Sequence, residues 1–255
     1  MSLRVAVVIP AYNESEAIVP ILDRIFASVE STCDIYVVVD SPDDTTLPVL
    51  EKYALDQPNL HPAINTYGRG PANAIRYGID IVDSPIVVVT MADGSDDPRQ
   101  IDALARLVDR GVVVAAASRY AHGGQQVGGP AVKCMMAKLA GRSLSALARV
   151  GTHDATNSFK AYSTAFVREV GIDSRNGFEI GLELTAKARR LRRPVAEIPT
   201  IWLDRTIGES NFDLRGGLPH YLAWYRFAFG PQLTVEQVRA AGAEVARRTD
   251  ESKGR

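Results

Sequence analysis

Three carboxylates, Asp93, Asp96 and Asp97, crowd the stretch Met91-Ala92-Asp93-Gly94-Ser95-Asp96-Asp97-Pro98, directly after the apolar run 86–90. Acids packed this closely repel one another unless a cation or hydrogen-bond donors compensate. A hard divalent ion, Mg²⁺ or Mn²⁺, would do so. It prefers oxygen ligands, commonly takes only one or two carboxylates, and completes its shell with phosphate oxygens and water. Asp93 is the best-placed ligand, because Asp96 or Asp97 just before Pro98 can instead cap a helix that has proline in its first position. Met91 stands where one more acid is expected, and a thioether is a poor ligand for such an ion.

Further acids fall at similar places. Asp40 ends the apolar run "DIYVVVD" and is set to face a ligand, while for Asp43 and Asp44 beyond it a turn followed by a capped helix is as good a reading as a ligand contact. The usual phosphate and dinucleotide cradles are missing: there is no GxxxxGK[ST], and "GRGPANA" (68–74) is not GxGxxG. Neither GxSxG nor HExxH occurs. The four histidines are scattered, and only His153, beside Asp154, lies near a stretch of interest. Cys33 and Cys134 lack metal-ligand or disulfide spacing and read as reduced thiols of a cytoplasmic protein.

Positioning these groups requires a scaffold. The first 120 residues alternate apolar β-branched runs ("VAVVIP" 5–10, "DIYVVVD" 34–40, a short one near 63–66, "IVVVTM" 86–91, "VVVAAAS" 112–118) with helical patterns. This is βαβ repetition, hence an α/β fold with a mostly parallel sheet and helices on both faces. Asn13 and Glu16 have capping-box spacing before the first helix. The second half is less regular: a helix over 130–150, strands at 157–163 and 195–203, and helices at 181–193, 218–229 and 234–248. In such a sheet ligands bind beyond the carboxyl ends of the strands. That rule selects 11–14, 40–44, 67–70 and 92–97, with Arg69 among them.

With 255 residues, 46% of them hydrophobic, the chain affords a substantial core. Twenty-nine basic residues against 30 acidic ones give no global field for nucleic acid. No run reaches eighteen uncharged apolar residues, so a soluble or peripheral protein is expected.

Seven segments taken in order, "VVIPAYNESEAI" (7–18), "VVVDSPDDTT" (37–46), "GRGPANAIRYGID" (68–80), "VVVTMADGSDDP" (87–98), "ASRYAHGG" (117–124), "DATNSFKAYS" (154–163) and "EIPTIWLDRTIGESNF" (197–212), resemble glycosyltransferase family 2. Within it they are most similar to the dolichol- and polyprenyl-phosphate mannose synthases. The resemblance implies a GT-A fold, a GDP- or UDP-sugar donor, a divalent metal and inverting transfer of a hexose to a polyprenyl phosphate. It also implies that Pro10, Ala11, Tyr12, Glu14, Asp40, Arg69 and Ala92 bind the nucleotide sugar, and that Asp93, with Asp96 in support, binds metal and diphosphate. Arg119, Lys133, Arg205 and Ser210 would hold the donor and acceptor phosphates. Asn211 departs from the family's "GESK", and Lys133 stands where relatives often carry arginine, whose phosphate geometry differs.

A phosphate monoester, with its second pKa near ~6, is already largely dianionic at neutral pH and attacks without a base. The protein then needs only to hold two anions together, with Arg205 and the Asp93-bound metal as the catalytic groups. Asp154 is the reserve base for the alternative of a saccharide or other hydroxyl acceptor. A catalytically degenerate nucleotide-sugar-binding protein is the third reading. The expected organisation is a catalytic domain over 1–217, a helical segment over 218–248 and a disordered tail over 249–255. The aromatic run "LPHYLAWYRFAF" suits either a membrane interface at the inner face of the plasma membrane or packing against the core or a second copy of the chain.

Overall fold

Runs of β-branched residues can be buried on both faces of a sheet, and that is how the chain uses them. The computed structural model describes residues 3–129, 131–204 and 214–253, the backbone alone at 131–133, 214–217, 252 and 253. Strands β1 (Arg4–Pro10), β2 (Thr32–Val39), β3 (Leu60–Ile64), β4 (Ile86–Val89) and β5 (Val114–Ser118) are followed by β6 (Gln125–Val127), β7 (Lys160–Ser163), β8 (Val195–Pro199) and β9 (Ile201–Leu203). Seven of them form one sheet in the order β3-β2-β1-β4-β7-β5-β8. All pairs are parallel except those of β7, which runs antiparallel to β4 and β5.

The period of two along each strand sorts side chains between two helical layers. Val5, Val7 and Ile9 face one core with α1 (Val19–Ser28), α2 (Leu47–Ala54) and α4 (Ile101–Asp109). Ala6 and Val8 face the other with α3 (Pro71–Ile81), α6 (Thr164–Val170) and α7 (Ile180–Arg190). Each such buried Val or Ile contributes about 1.5–3 kcal/mol. Gly78 lets α3 lie directly on β1, since a Cβ there would meet Val8 Cγ1 at 2.4 Å. A third cluster joins α7 to the wide π turn 144–148, which follows α5 (Ala131–Ser143), and to α8 (Leu214–Ala228) and α9 (Val235–Lys253).

Several local expectations are corrected. Asn13 and Ser15 turn through the left-handed region (φ 53° and 50°), so no capping box forms, and the Asn13 side-chain Oδ1 instead accepts from Thr45 N–H at 3.3 Å. The helix expected over 130–150 stops at Ser143, where the π turn begins. The strand expected over 195–203 breaks at Thr200, whose N–H donates to Ser118 and whose carbonyl accepts from Gln125, which transfers the chain to the separate β6–β9 ribbon. Helix α6, capped by Ser163, was not anticipated. Helix α8 begins at Leu214, before the expected boundary, and residues 249–253 continue α9 rather than forming a tail. Of the aromatic run, Trp224 and Phe227 are buried against the third cluster, so packing claims those two rings. Among the described residues no helix is long and apolar enough to cross a membrane.

Candidate active site

Strand register decides which loops meet. Pro10 lies opposite Val38 and Val8 opposite Val89, Asn65 N–H extends the ladder to Val39, and Thr90 N–H extends it to Val8. The segments after β1, β2, β3 and β4 therefore emerge at one edge, around the β1–β4 junction where strand order reverses. Pro10, Ala11, Tyr12, Glu14, Asp40, Arg69, Ala92 and Asp93 all belong to these segments.

On the β2–β3 side, Asp40 Oδ1 accepts from Asn65 Nδ2 (2.9 Å) and Oδ2 from Gly70 N–H (2.7 Å). Asn65 Nδ2 also donates to Gly68 O at 2.6 Å. The Gly68-Arg69-Gly70 turn, with φ of 102° and 112° at its glycines, is thus fixed against the end of β2, and the Arg69 side chain is exposed above it. Ala11 is buried and Tyr12 is exposed beside it. Asp44 is a buried brace: it accepts from the Asn13 and Thr46 amides, and Glu14 N–H donates to Thr46 Oγ1 at 2.9 Å.

The acid loop divides its carboxylates among three tasks. Asp97 accepts from Arg99 N–H and pairs with the Arg99 guanidinium, so it is the helix cap. Asp96 is buried, accepting from Thr90 Oγ1 (2.8 Å) and Met91 N–H (3.3 Å). Burial pushes its carboxyl up to about 6, with the nearby Asp93 charge acting in the same direction, against the Thr90 and Met91 hydrogen bonds and Arg119. Asp93, partly exposed, holds Ser95 through Oδ1, with the amide at 3.0 Å and the hydroxyl at 2.6 Å. Arg24 ties the loop to α1 through Gly94 O, and Leu203 N–H of β9 reaches Ser95 O at 3.4 Å. No cluster of three or more acids, histidines or cysteines suited to a metal occurs among the described residues. That donor set still fits Mg²⁺ or Mn²⁺ held jointly with a diphosphate, with one or two carboxylates from the protein and phosphate and water oxygens for the rest.

Beyond β5 the chemistry changes to buried charge. Arg119 donates to Asp154 from Nε (2.7 Å), Nη2 (2.8 Å) and its backbone N–H (3.0 Å). Asp154 is 0% exposed, and although burial works the other way, the Arg119 pair holds its carboxyl below the usual carboxylate range. A base needs a reachable lone pair, and both oxygens of Asp154, the residue expected as a reserve base, serve Arg119. The guanidinium sits 5.1 Å from the Tyr120 ring centroid and 5.9 Å from that of Trp202. His153, the other residue of that stretch, instead pairs with Glu197 at 2.5 Å. Lys160, also fully buried, donates to Asp154 O and Asn157 O, and burial pushes its ammonium down to about 7. Arg205 and Ser210 lie outside the described residues, and of Lys133 only the backbone on α5 is described.

Sequence reasoning missed two groups. Lys160 reads as an ordinary strand residue until β7 is found between β4 and β5, and "SFKAYS" carries no signal for that burial. Glu179 precedes α7, is 1% exposed, and receives no hydrogen bond at either carboxylate oxygen from any described residue. It follows a segment that touches the β2–β3 side of the edge: Asn73 Nδ2 donates to Arg175 O at 3.2 Å, and Asn176 O lies 3.5 Å from where a Gly70 Cβ would be. An acid two residues after Asn176-Gly177 looked like a surface turn in the sequence. A carboxylate that is buried and unsatisfied is one that a ligand's hydroxyl groups can satisfy.

The comparisons agree with this geometry. The family model described as "Glycosyl transferase family 2" matches residues 6–171. The polyprenol monophosphomannose synthase of Mycolicibacterium smegmatis is 31% identical over 215 residues, 82% of this chain and 80% of that one. The undecaprenyl-phosphate mannosyltransferase of Micrococcus luteus is 27% identical over 222 residues, 85% and 89% of the two chains. Among solved structures, glucosyl-3-phosphoglycerate synthase of Mycobacterium tuberculosis with Mn²⁺, UDP and glucosyl-3-phosphoglycerate superposes with a TM-score of 0.65 at 17% identity, covering 91% of this chain and 82% of that one. A Pyrobaculum calidifontis mannosyltransferase with GDP-mannose and Mn²⁺ gives 0.63 at 18%, covering 99% and 74%. The fold is GT-A, and the chain belongs to glycosyl transferase family 2.

Proposed function

We propose that the chain transfers a mannosyl group from a nucleoside-diphosphate sugar to a polyprenyl phosphate, whose phosphate oxygen attacks the anomeric carbon and inverts it. The observation that carries this reading is the Arg119–Asp154 pair, which presents a fixed cation near the acid loop and withdraws Asp154 from proton transfer. The names of the two curated relatives support the sugar and the acceptor.

In this reading the edge formed by Ala11–Glu14, Asp40 and the Gly68–Gly70 turn binds the base and ribose, with Tyr12 and Arg69 covering them. Asp93 is the principal metal ligand, and Asp96 supports it from behind by ordering Thr90 and Met91. A bound Mg²⁺ or Mn²⁺ supplies charge neutralisation at the departing diphosphate. Arg119 faces the acceptor phosphate with its remaining N–H groups, and Lys133, Arg205 and Ser210 complete that site. Glu179 accepts hydrogen bonds from the sugar hydroxyls.

One observation favours a second reading. Glu179 is a carboxylate without a partner among the described residues, and if the acceptor were a hydroxyl it is the group placed to take the proton. Transfer of radiolabel from GDP-mannose, and separately UDP-glucose, to polyprenyl phosphate or to the matching polyprenol separates the two. The first reading expects an extractable product with the phosphate only. A product with the alcohol, or with a soluble saccharide alone, overturns it.

Contact with a membrane surface belongs to the same proposal. Met135, Met136, Leu139 and Leu147 are exposed on α5 and its π turn, interleaved with exposed Lys138 and Arg142. Val127, Ile201 and Leu203 of the ribbon, Leu218 and Leu222 of α8 and Phe229 just after it are exposed as well. Apolar residues mixed with cations suit an anionic lipid interface, where a polyprenyl phosphate resides. A second copy of this chain is the competing occupant, and sedimentation of the free protein distinguishes the two.

A further inference from the structure

At the opposite edge of the sheet from the acid loop lies a cavity of about 660 Å³ lined by four arginines, Arg149, Arg189, Arg192 and Arg193, and by no acid among the described residues. Val195, the first residue of β8, also lines it, whereas Pro199 at the far end of that strand pairs with Ser118 beside Arg119. One strand length, ~15 Å, thus separates the cavity from the catalytic edge, so it is not part of the site described above.

The four arginines are not equivalent. Arg189 is structural: Nε donates to Ala148 O at 2.8 Å and Nη1 to Gly230 O, binding the π turn to the α8–α9 connection. Arg193 reaches Glu169 at 3.2 Å. Arg149 and Arg192 are exposed and make no side-chain hydrogen bond or ion pair with a described residue. Both also hold left-handed backbones, φ 56° and 53°. Only four non-glycine residues among those described do so, and the other two, Asn13 and Ser15, stand at the donor edge. Arg149 closes the π turn and Arg192 follows the last turn of α7, the helix-end positions where glycine is the usual residue, so both sites hold a guanidinium where a glycine would fit the backbone.

We infer that this cavity binds the phosphate group of an anionic lipid headgroup. Guanidinium forks match phosphate oxygens in pairs, and an acid-free wall leaves the charge of Arg149 and Arg192 uncompensated until such an anion arrives. The shared chemistry is a phosphate anion; continuity with the apolar surface assigns its source. Leu147, 73% exposed, stands two residues before Arg149, and the exposed Leu139, Met136 and Met135 precede it along α5. A lipid whose chains meet that surface presents its headgroup to the cavity. The inference rests on the membrane contact proposed above.

The test compares the full chain with Arg149→Gly/Arg192→Gly, glycine being the residue that tolerates both backbone conformations, and with Leu139→Ser/Leu147→Ser. Each is sedimented with vesicles of pure phosphatidylcholine and of phosphatidylcholine containing phosphatidylglycerol, and each is titrated with pyrophosphate in the presence of EDTA. The inference expects at least tenfold tighter binding of the parent to the anionic vesicles, lost in the arginine variant and weakened by salt, with neutral-vesicle binding unchanged. Equal preference for anionic vesicles in parent and arginine variant overturns it while leaving the membrane reading intact. Binding of pyrophosphate that the arginine variant loses, without any vesicle preference, overturns the lipid source. Absence of vesicle binding altogether overturns both readings.

Discussion

The two halves of the catalytic edge handle charge in opposite ways. On the donor side, Asp40 and Asp93 are held by neutral donors: an asparagine amide, backbone N–H groups, a serine hydroxyl. On the acceptor side, Arg119, Asp154 and Lys160 are buried together and hold one another. A carboxylate braced by neutral donors keeps its charge for a ligand, whereas a buried ion pair keeps its charge for its partner and yields geometry instead. In the proposed reading the donor half attracts a cation and its diphosphate. The acceptor half is built to hold one guanidinium still.

The contrast breaks hardest at Asp154. Replacing it with asparagine leaves Arg119 buried without its counter-charge, and a loss of about 3–5 kcal/mol follows, read as a lower urea midpoint. Asp40→Asn should cost far less, because a partly buried acid held by neutral donors leaves no buried charge behind. Equal losses would erase the distinction.

Glu179→Gln sharpens it next. If the carboxylate receives sugar hydroxyls, KM for the donor rises at least about tenfold, in line with ~1.5–3 kcal/mol for a hydrogen bond to a charged group, while kcat persists and stability holds or improves. A fall in kcat of about 10²–10⁴ with KM unchanged is the mark of a general base and moves the reading to a hydroxyl acceptor.

Lys160 gives a pH signature to the buried half. Its ammonium is pushed down by burial to about 7 from an ordinary 10.5. Between those values the unfolded chain binds more protons than the folded one, so stability rises with pH across that window. Denaturation of the parent at pH 7 and pH 9.5 should show a rise that Lys160→Met lacks; parallel behaviour of the two contradicts it.

The smallest effect is expected at Met91. Met91→Asp adds a hard oxygen ligand beside Asp93 and should lower the Mn²⁺ concentration that half-saturates turnover several-fold. An unchanged requirement would place Met91 outside the metal's reach.

The same division governs what could be read in the sequence. Donor-side residues act within a few positions of the strands that carry them, so the apolar runs and the turn residues announced β1 to β4 along the chain, and Pro98 announced a cap at Asp96 or Asp97, which the structure assigns to Asp97. Acceptor-side residues act through partners 35 positions apart, as Arg119 and Asp154 do, and nothing local encodes that pairing. Antiparallel β7, whose insertion buries Lys160, reads as a short polar-flanked run. Glu179 was invisible for the same reason: its significance is that nothing described reaches its oxygens, which only the folded chain reveals. Asn13 and Ser15 show the converse error, since capping spacing was present and the left-handed turn overrode it.

The most direct test of the account is calorimetric titration of the parent and Asp93→Ala with GDP and UDP, each with Mn²⁺ or EDTA. One nucleotide should bind with an affinity that Mn²⁺ raises and Asp93→Ala removes, while thermal melting shows both proteins equally folded. Binding that ignores both the metal and Asp93, or no binding of either nucleotide, would contradict the donor site as described.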